Sequence, residues 1–245
     1  MERANILGCG VDLVSMGQAV AAIEQMVESG RPHQVITLNA ELIYQAREDE
    51  ELQKLINQAD LVTPDGIGVV WAAGWLGYSS AGRVTGIDLL EQLTARAAGR
   101  GWKIYLLGSA PGVAEQAGRN LQERYPGLQV AGSHHGYFKP AEVEDIVEEI
   151  KGLAPDLLCV ALGAPGQEIW INRYKEQLGV PVCIGIGGSL DVIGGFKERA
   201  PEIFIRLNLE WLYRLASEPS RIKRQMALPR FAAQVIREKY RSRSR

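Results

Sequence analysis

One carboxylate in this chain stands where a general base could work. Asp65 lies in Thr63-Pro-Asp-Gly-Ile-Gly68, between a short β-rich run, Asp60–Thr63, and an apolar helical stretch. In a partly desolvated crevice such a group can have a raised pKa and take a proton from a hydroxyl. Its plainer role is a turn Asp or a helix N-cap. Thr37 and Asn39 end the preceding strand, Val35–Leu38. They can hydrogen-bond a polyhydroxylated ligand or cap the next helix. Arg83, just before Thr85-Gly86, can pair with phosphate or form a surface ion pair. Gln167 opens a helical stretch, and its spacing to Trp170, Ile171 and Tyr174 sets it on the inward stripe. A buried carboxamide needs partners, and a ligand could be one.

Three glycine-rich turns separate strands from helices. They are Gly108-Ser-Ala-Pro-Gly112, Gly163-Ala-Pro-Gly166 and Gly185-Ile-Gly-Gly-Ser189, the last containing Gly187 and Gly188. Small residues there let backbone N–H groups and helix N-termini approach a phosphate. Together they favour an anionic, nucleotide-like ligand, although α/β proteins also need glycine for tight turns. The usual nucleotide motifs are missing. Gly8-Cys-Gly10 lacks the third glycine of GxGxxG, and there is no GxxxxGK[ST]. Neither HExxH nor DxD occurs. His134 and His135, read as strand residues, should point to opposite faces and play a structural part. No dedicated metal site and no cofactor are expected.

These residues need a scaffold that brings strand ends together. Asn5–Cys9 reads as a strand, and Ser15-x-x-Gln18 as a capping box opening a helix to about Ser29. Helical segments run through about Gln58 and over Asp88–Arg100. Lys103–Leu107, Gln129–Ala131, Leu157–Leu162 and Val182–Ile186 read as strands; Val113–Tyr125, Ala141–Gly152 and Gln167–Leu178 read as helices. Such alternation predicts an α/β fold with a mostly parallel sheet covered by helices on both faces. Ligands of such sheets bind outside the C-terminal strand ends. From Pro201 the alternation stops and two helical stretches follow, split at Glu218-Pro219. We therefore divide the chain into a body, 1–200, and a helical C-terminal appendage, 201–245. The apolar segment Trp71–Tyr78 can be core or a subunit contact, which leaves a homo-oligomer open.

The 245 residues, 46% hydrophobic and 23% charged, suit an ordinary globular α/β protein and exclude a mostly disordered or fibrous chain. Cys9, Cys159 and Cys183 are far apart, without a CxxC pair, which fits a reducing cytosol. The first residues do not read as a signal peptide. Gly66–Gly82 is uncharged, but its five glycines break it too often for a membrane span. The net charge of −2 conceals an asymmetry: Arg221–Arg245 carries nine Lys/Arg and one Glu, net +8, against −10 elsewhere. Ile222, Met226, Leu228 and Phe231 alternate with Arg221, Lys223, Arg224 and Arg230. An apolar strip edged by basic residues fits an anionic membrane surface. Pro229 should break that helix and keep it short. Regularly spaced aromatics for base stacking are missing, so nucleic acid is not expected as a partner.

Six blocks occur in one order: Thr63-Pro-Asp-Gly-Ile-Gly-Val-Val70, Arg83-Val-Thr-Gly86, His135-Gly-Tyr-Phe138, Val160-Ala-Leu-Gly-Ala-Pro-Gly-Gln-Glu168, Gly185-Ile-Gly-Gly-Ser-Leu-Asp191 and Leu209-Glu-Trp-Leu-Tyr-Arg214. In these the chain resembles the WecG/TagA/CpsF glycosyltransferases (family 26), most closely the TagA branch, from Asn5 to about Ile236. The resemblance implies a Rossmann-like body with an appendage and an inverting, metal-independent transferase. It would move N-acetylmannosamine from its UDP donor to the 4-hydroxyl of GlcNAc on an undecaprenyl diphosphate carrier, a β-1,4 linkage that commits the lipid to wall teichoic acid. It also implies a cytoplasmic protein, peripheral on the inner face of the bacterial membrane. By this resemblance Asp65 is the base, and Thr37, Asn39, Arg83 and Gln167 match active-site positions. Tyr137 and Asp191 fall, with Gly108, Gly163, Gly187 and Gly188, among substrate-binding positions. Arg214, Arg221 and Arg224 match arginines that reach from the appendage towards the diphosphate. The sequence departs at Gly166, where Lys is frequent, and in Gly194-Gly-Phe-Lys-Glu-Arg-Ala-Pro; both changes bear on donor contacts. Two other readings stay open: the same fold with another donor such as UDP-ManNAc uronic acid, and a nucleotide-binding protein without catalysis.

Overall fold

The computed structural model describes residues 2–79, 82–217 and 226–243. The chain opens with an antiparallel hairpin, β1 (Arg3–Ile6) and β2 (Cys9–Asp12). This corrects the single strand read over Asn5–Cys9. Leu7 and Gly8 both take positive φ, and the Asn5 side chain accepts a hydrogen bond from Gly8 N at 2.8 Å. Leucine is not a residue that advertises a two-residue hairpin turn. After α1 (Met16–Ser29), which has the expected capping box on Ser15, come β3 (His33–Leu38), α2 (Ala40–Ala46), α3 (Glu50–Gln58) and β4 (Leu61–Pro64). Next are α4 (Ile67–Leu76), α5 (Gly86–Arg100), β5 (Lys103–Gly108), α6 (Val113–Arg124) and β6 (Gln129–His134). The body closes with α7 (Val143–Leu153), β7 (Leu157–Ala161), α8 (Gly166–Leu178), β8 (Val182–Gly185) and α9 (Ser189–Ile193). Beyond it lie α10 (Glu202–Arg206), α11 (Glu210–Ser217) and α12 (Ala227–Arg243).

β3 to β8 form one parallel sheet in the order β4-β3-β8-β7-β5-β6. All six therefore end at the same edge. Alternation sends Ile104 and Leu106 of β5 into a core shared with α1, α5, α6 and α9. Tyr105 and Leu107 turn the other way, towards α7 and α8. That second face is completed at the β3–β4 end by a cluster of the hairpin, α2, α3, α4 and α12. The α/β expectation, with helices on both faces, is met.

The apolar Trp71–Tyr78 segment belongs to that last cluster. Val69, Ala72 and Ala73 of α4 are buried, and Trp71, Trp75, Leu76 and Tyr78 are partly covered. A helix apolar all round is one that is covered on most sides; here α12 supplies part of the cover. Phe231 and Val235 are buried in the same cluster, and the Lys239 ammonium lies 4.8 Å from the Trp75 ring centroid. The short helix expected from Pro229 is thus corrected. Pro229 sits in the first turn of α12, where its missing N–H costs no intrahelical bond. The apolar strip is divided: Phe231 faces the core, Leu228 is partly covered, Met226 is exposed, and Ile222 lies outside the described residues, as does the Glu218-Pro219 split. The three cysteines are free and buried, and burial pushes each thiol up to about 12, so they stay protonated.

At the opposite edge of the sheet, Ser29 Oγ lies 2.8 Å from His33 Nε2, and His33 Nδ1 2.9 Å from Asp60 Oδ1. The distances resemble a nucleophile–base–acid relay. However, Ser29 is the last residue of α1 and its hydroxyl is 2.8 Å from the Met26 carbonyl, so the exposed end offers carbonyls rather than oxyanion donors. The three side chains staple α1 to β3 and β4. Burial works against the Asp60 charge, but the His33 hydrogen bond, the Gln34 N–H and the charges of His33 and Lys175 outweigh it and hold the carboxyl below its usual range. A depressed folded pKa contributes stability above the unfolded value, about 4, and loses it as pH falls through the folded one. Asp60→Asn should therefore melt below the wild type at pH 6, and the gap should close on acidification below about pH 4. Melting curves across that range check it; a gap independent of pH would mean the charge plays no part.

Candidate active site

The site is built where the parallel strands end. Leu38 pairs in register with Pro64, so Asn39 and Asp65 emerge side by side from neighbouring strands. Asp65 N donates to Leu38 O at 2.8 Å, and the Asp65 side chain is half-buried. Asn39 caps α2, its Oδ1 accepting from Leu42 N at 2.9 Å, the plainer of its two expected roles. Thr37 is buried, and its hydroxyl donates to Gly185 O at 2.9 Å, tying β3 to the end of β8. The turn before α5 lies against the same strand end: Val84 N donates to Pro64 O at 2.9 Å. A Cβ on Gly86 would stand 3.4 Å from both Thr37 Oγ1 and Ile186 O. Arg83, in that turn, pairs with Glu210 of α11 at 3.0 Å, both side chains largely covered.

Gln167 is buried as its spacing predicted, and both ends of its carboxamide are engaged. Its Oε1 accepts from Gly187 N at 3.1 Å, and its Nε2 donates to Glu168 Oε1 at 2.8 Å. Gln167 therefore sets the shape of the glycine turn. Glu168, not singled out from sequence, is almost wholly buried; burial raises its pKa, against the hydrogen bond from Gln167. The buried Gln34 fixes its backbone, Nε2 donating to Glu168 O at 3.0 Å. A charged residue next to a polar one in a first helical turn gives no sign that both face inward; the sheet's closeness decides it.

A second group surrounds the ends of β5 and β7. The connection from β5 runs outward to β6, and that from β7 runs the other way to β8, which leaves a crevice between them. Gly108, at φ +131°, could carry no side chain, since a Cβ would come within 2.4 Å of Ala161 O. Gly163 and Gly187 differ: a Cβ there would meet nothing within 4 Å, so these turns border open space. Asp191, after Gly188, accepts from Ser109 Oγ at 3.3 Å and joins the two groups. Tyr137 stands at the rim, 76% exposed. β6 ends at His134, so strand alternation does not reach His135, and the expected opposition of the two rings is corrected. Their centroids are 4.5 Å apart. His134 Nδ1–H donates to His135 O, and His135 Nδ1 accepts from Tyr137 N. Among the described residues no three His, Cys, Asp or Glu side chains converge as metal ligands would. Arg221 and Arg224 lie outside the described residues, and Arg214 is placed by its backbone alone, within α11.

Glycine turns, an ion-paired arginine and a half-buried carboxylate gather along one edge of a doubly wound α/β sheet, the edge at which sheets of this class hold their ligands. A family model described as the glycosyl transferase WecG/TagA/CpsF family matches residues 4–245. A Staphylococcus aureus (strain MW2) protein named N-acetylglucosaminyldiphosphoundecaprenol N-acetyl-beta-D-mannosaminyltransferase is 37% identical over 239 residues, 97% of this chain and 93% of its own. A protein of the same name from Bacillus spizizenii strain W23 is 33% identical over 203 residues, 83% of this chain and 78% of its own. The chain belongs to the WecG/TagA/CpsF glycosyl transferase family.

Proposed function

We propose that this enzyme transfers N-acetylmannosamine from UDP to the 4-hydroxyl of GlcNAc on undecaprenyl diphosphate, with inversion to a β-1,4 linkage. The observation that carries the reading is the match to the Staphylococcus aureus protein of that name over 97% of this chain. Inversion requires a base at the acceptor hydroxyl and positive charge at the departing diphosphate. Asp65 is the base in this reading; its support is a half-buried place beside Asn39 at the strand ends. Arg83, Arg214, Arg221 and Arg224 meet the leaving group, with N–H groups of the glycine turns around it. Gln167 holds the Gly187 turn, and the crevice between β5 and β7, with Gly108, Gly163, Tyr137 and Asp191 about it, receives the nucleotide.

The acceptor is a lipid, so the enzyme works at a membrane surface. Among the described residues no helix is long and apolar enough to cross a membrane. Arg230, Arg237 and Arg241 on the exposed side of α12 suit anionic lipid headgroups. The reading is tested by offering purified protein a panel of UDP-sugars with a short-chain diphospholipid GlcNAc acceptor, the product linkage being read by NMR. UDP-ManNAc should be consumed and a β-1,4 disaccharide formed. Preference for the uronic acid donor, or no acceptor-dependent UDP release, would overturn it.

A further inference from the structure

The turn that carries Arg83 is gripped on both flanks by the chain that follows the sheet. On one flank Arg83 Nη1 donates to Glu210 Oε2 at 3.0 Å, with the side chains only 16% and 11% exposed. On the other, Arg199 donates to Asp88 Oδ1, while Asp88 Oδ2 accepts from Thr85 Oγ1 at 2.6 Å. Residues 83–88 supply one cation and one anion, and segment 199–210 supplies their complements. Between the two pairs the backbone has little freedom. Val84 N is bonded to Pro64 O, and Gly86 is packed against Thr37 and Ile186. The backbone at Arg83 is thus held beside the Asp65 turn, and the adjustable part is the guanidinium.

A guanidinium has five N–H donors, of which one carboxylate takes at most two, so Glu210 leaves Arg83 donors for a second anion. Holding two charges this far from water is costly, and a long side chain with no partner spreads over many rotamers. A carboxylate behind the arginine removes that freedom before substrate arrives. We propose that Glu210 is a positioning residue that aims Arg83 at the diphosphate. The proposal rests on the reading above that Arg83 meets the leaving group.

The test is a double-mutant cycle with Arg83→Ala, Glu210→Ala and the pair, with Glu210→Asp as the conservative variant. Turnover is measured on the soluble short-chain acceptor and amide exchange over 210–217. Glu210→Ala should lower kcat about 10²-fold with little change in donor KM, and Glu210→Asp should recover part of it. In the Arg83→Ala background Glu210→Ala should cost far less than in the wild type, the signature of a shared interaction. Exchange over 210–217 should rise in either single variant, and in the pair by less than the sum of the two. Wild-type kcat in Glu210→Ala, or the same fold-loss in both backgrounds, would overturn the proposal. If the wild type itself transfers no sugar, the functional reading fails. The exchange cycle then still judges the clamp, and unchanged exchange in both single variants would reject it.

Discussion

Asp65→Asn should bind UDP as the wild type does and lose about 10²–10⁴ of its turnover, the usual weight of a general base. The substitution keeps side-chain size, puts an NH2 donor in place of one carboxylate oxygen and removes the base. The backbone contact that fixes this turn, Asp65 N to Leu38 O at 2.8 Å, does not involve the side chain, so the fold should survive. Calorimetric titration with UDP beside single-turnover transfer separates binding from chemistry. Near-normal transfer by a folded Asp65→Asn enzyme would remove Asp65 from the mechanism and move the search to the Glu168 carboxyl. That group is buried and bonded to Gln167, so it would first have to be exposed to reach a hydroxyl.

The second large effect concerns stability. Phe231→Ala should cost about 3–5 kcal/mol and lower the melting temperature by roughly 6–20 °C. The ring is 1% exposed and fills a cluster shared by α2, α4 and the hairpin, so its loss leaves a cavity under the sheet. Changing the exposed Arg230, Arg237 and Arg241 to Glu should leave melting nearly unchanged and weaken sedimentation with anionic liposomes, more so at low salt. The pair of experiments separates the two faces of α12. If Phe231→Ala melts like the wild type but no longer binds liposomes, the helix serves the bilayer and not the core.

Periodicity and turn chemistry were enough to read most of the scaffold. The Ser15 capping box, the helix from Gln167 inward, the strands before each glycine turn and the strand–helix alternation of the body all follow from local residue pattern, since each rests on contacts within a few residues or on a face repeated along one element. That the glycine turns and Asp65 share one edge was legible for the same reason: they stand at strand ends, and in a parallel sheet strand ends converge. What the local pattern could not carry was choice of partner. Leu7 turns a hairpin because Asn5 and Gly8 close it. His135 leaves the strand because β6 stops one residue earlier. Phe231, with the look of a membrane anchor, is buried because the hairpin, α2 and α4, all far from it in the chain, offer it an apolar surface. Arg83 has the same residue type whether it faces solvent, phosphate or a carboxylate; only folding sets Glu210 3.0 Å from it. A side chain's chemistry is written in its own residue, but its charge partner, burial and direction belong to whatever the tertiary structure packs against it.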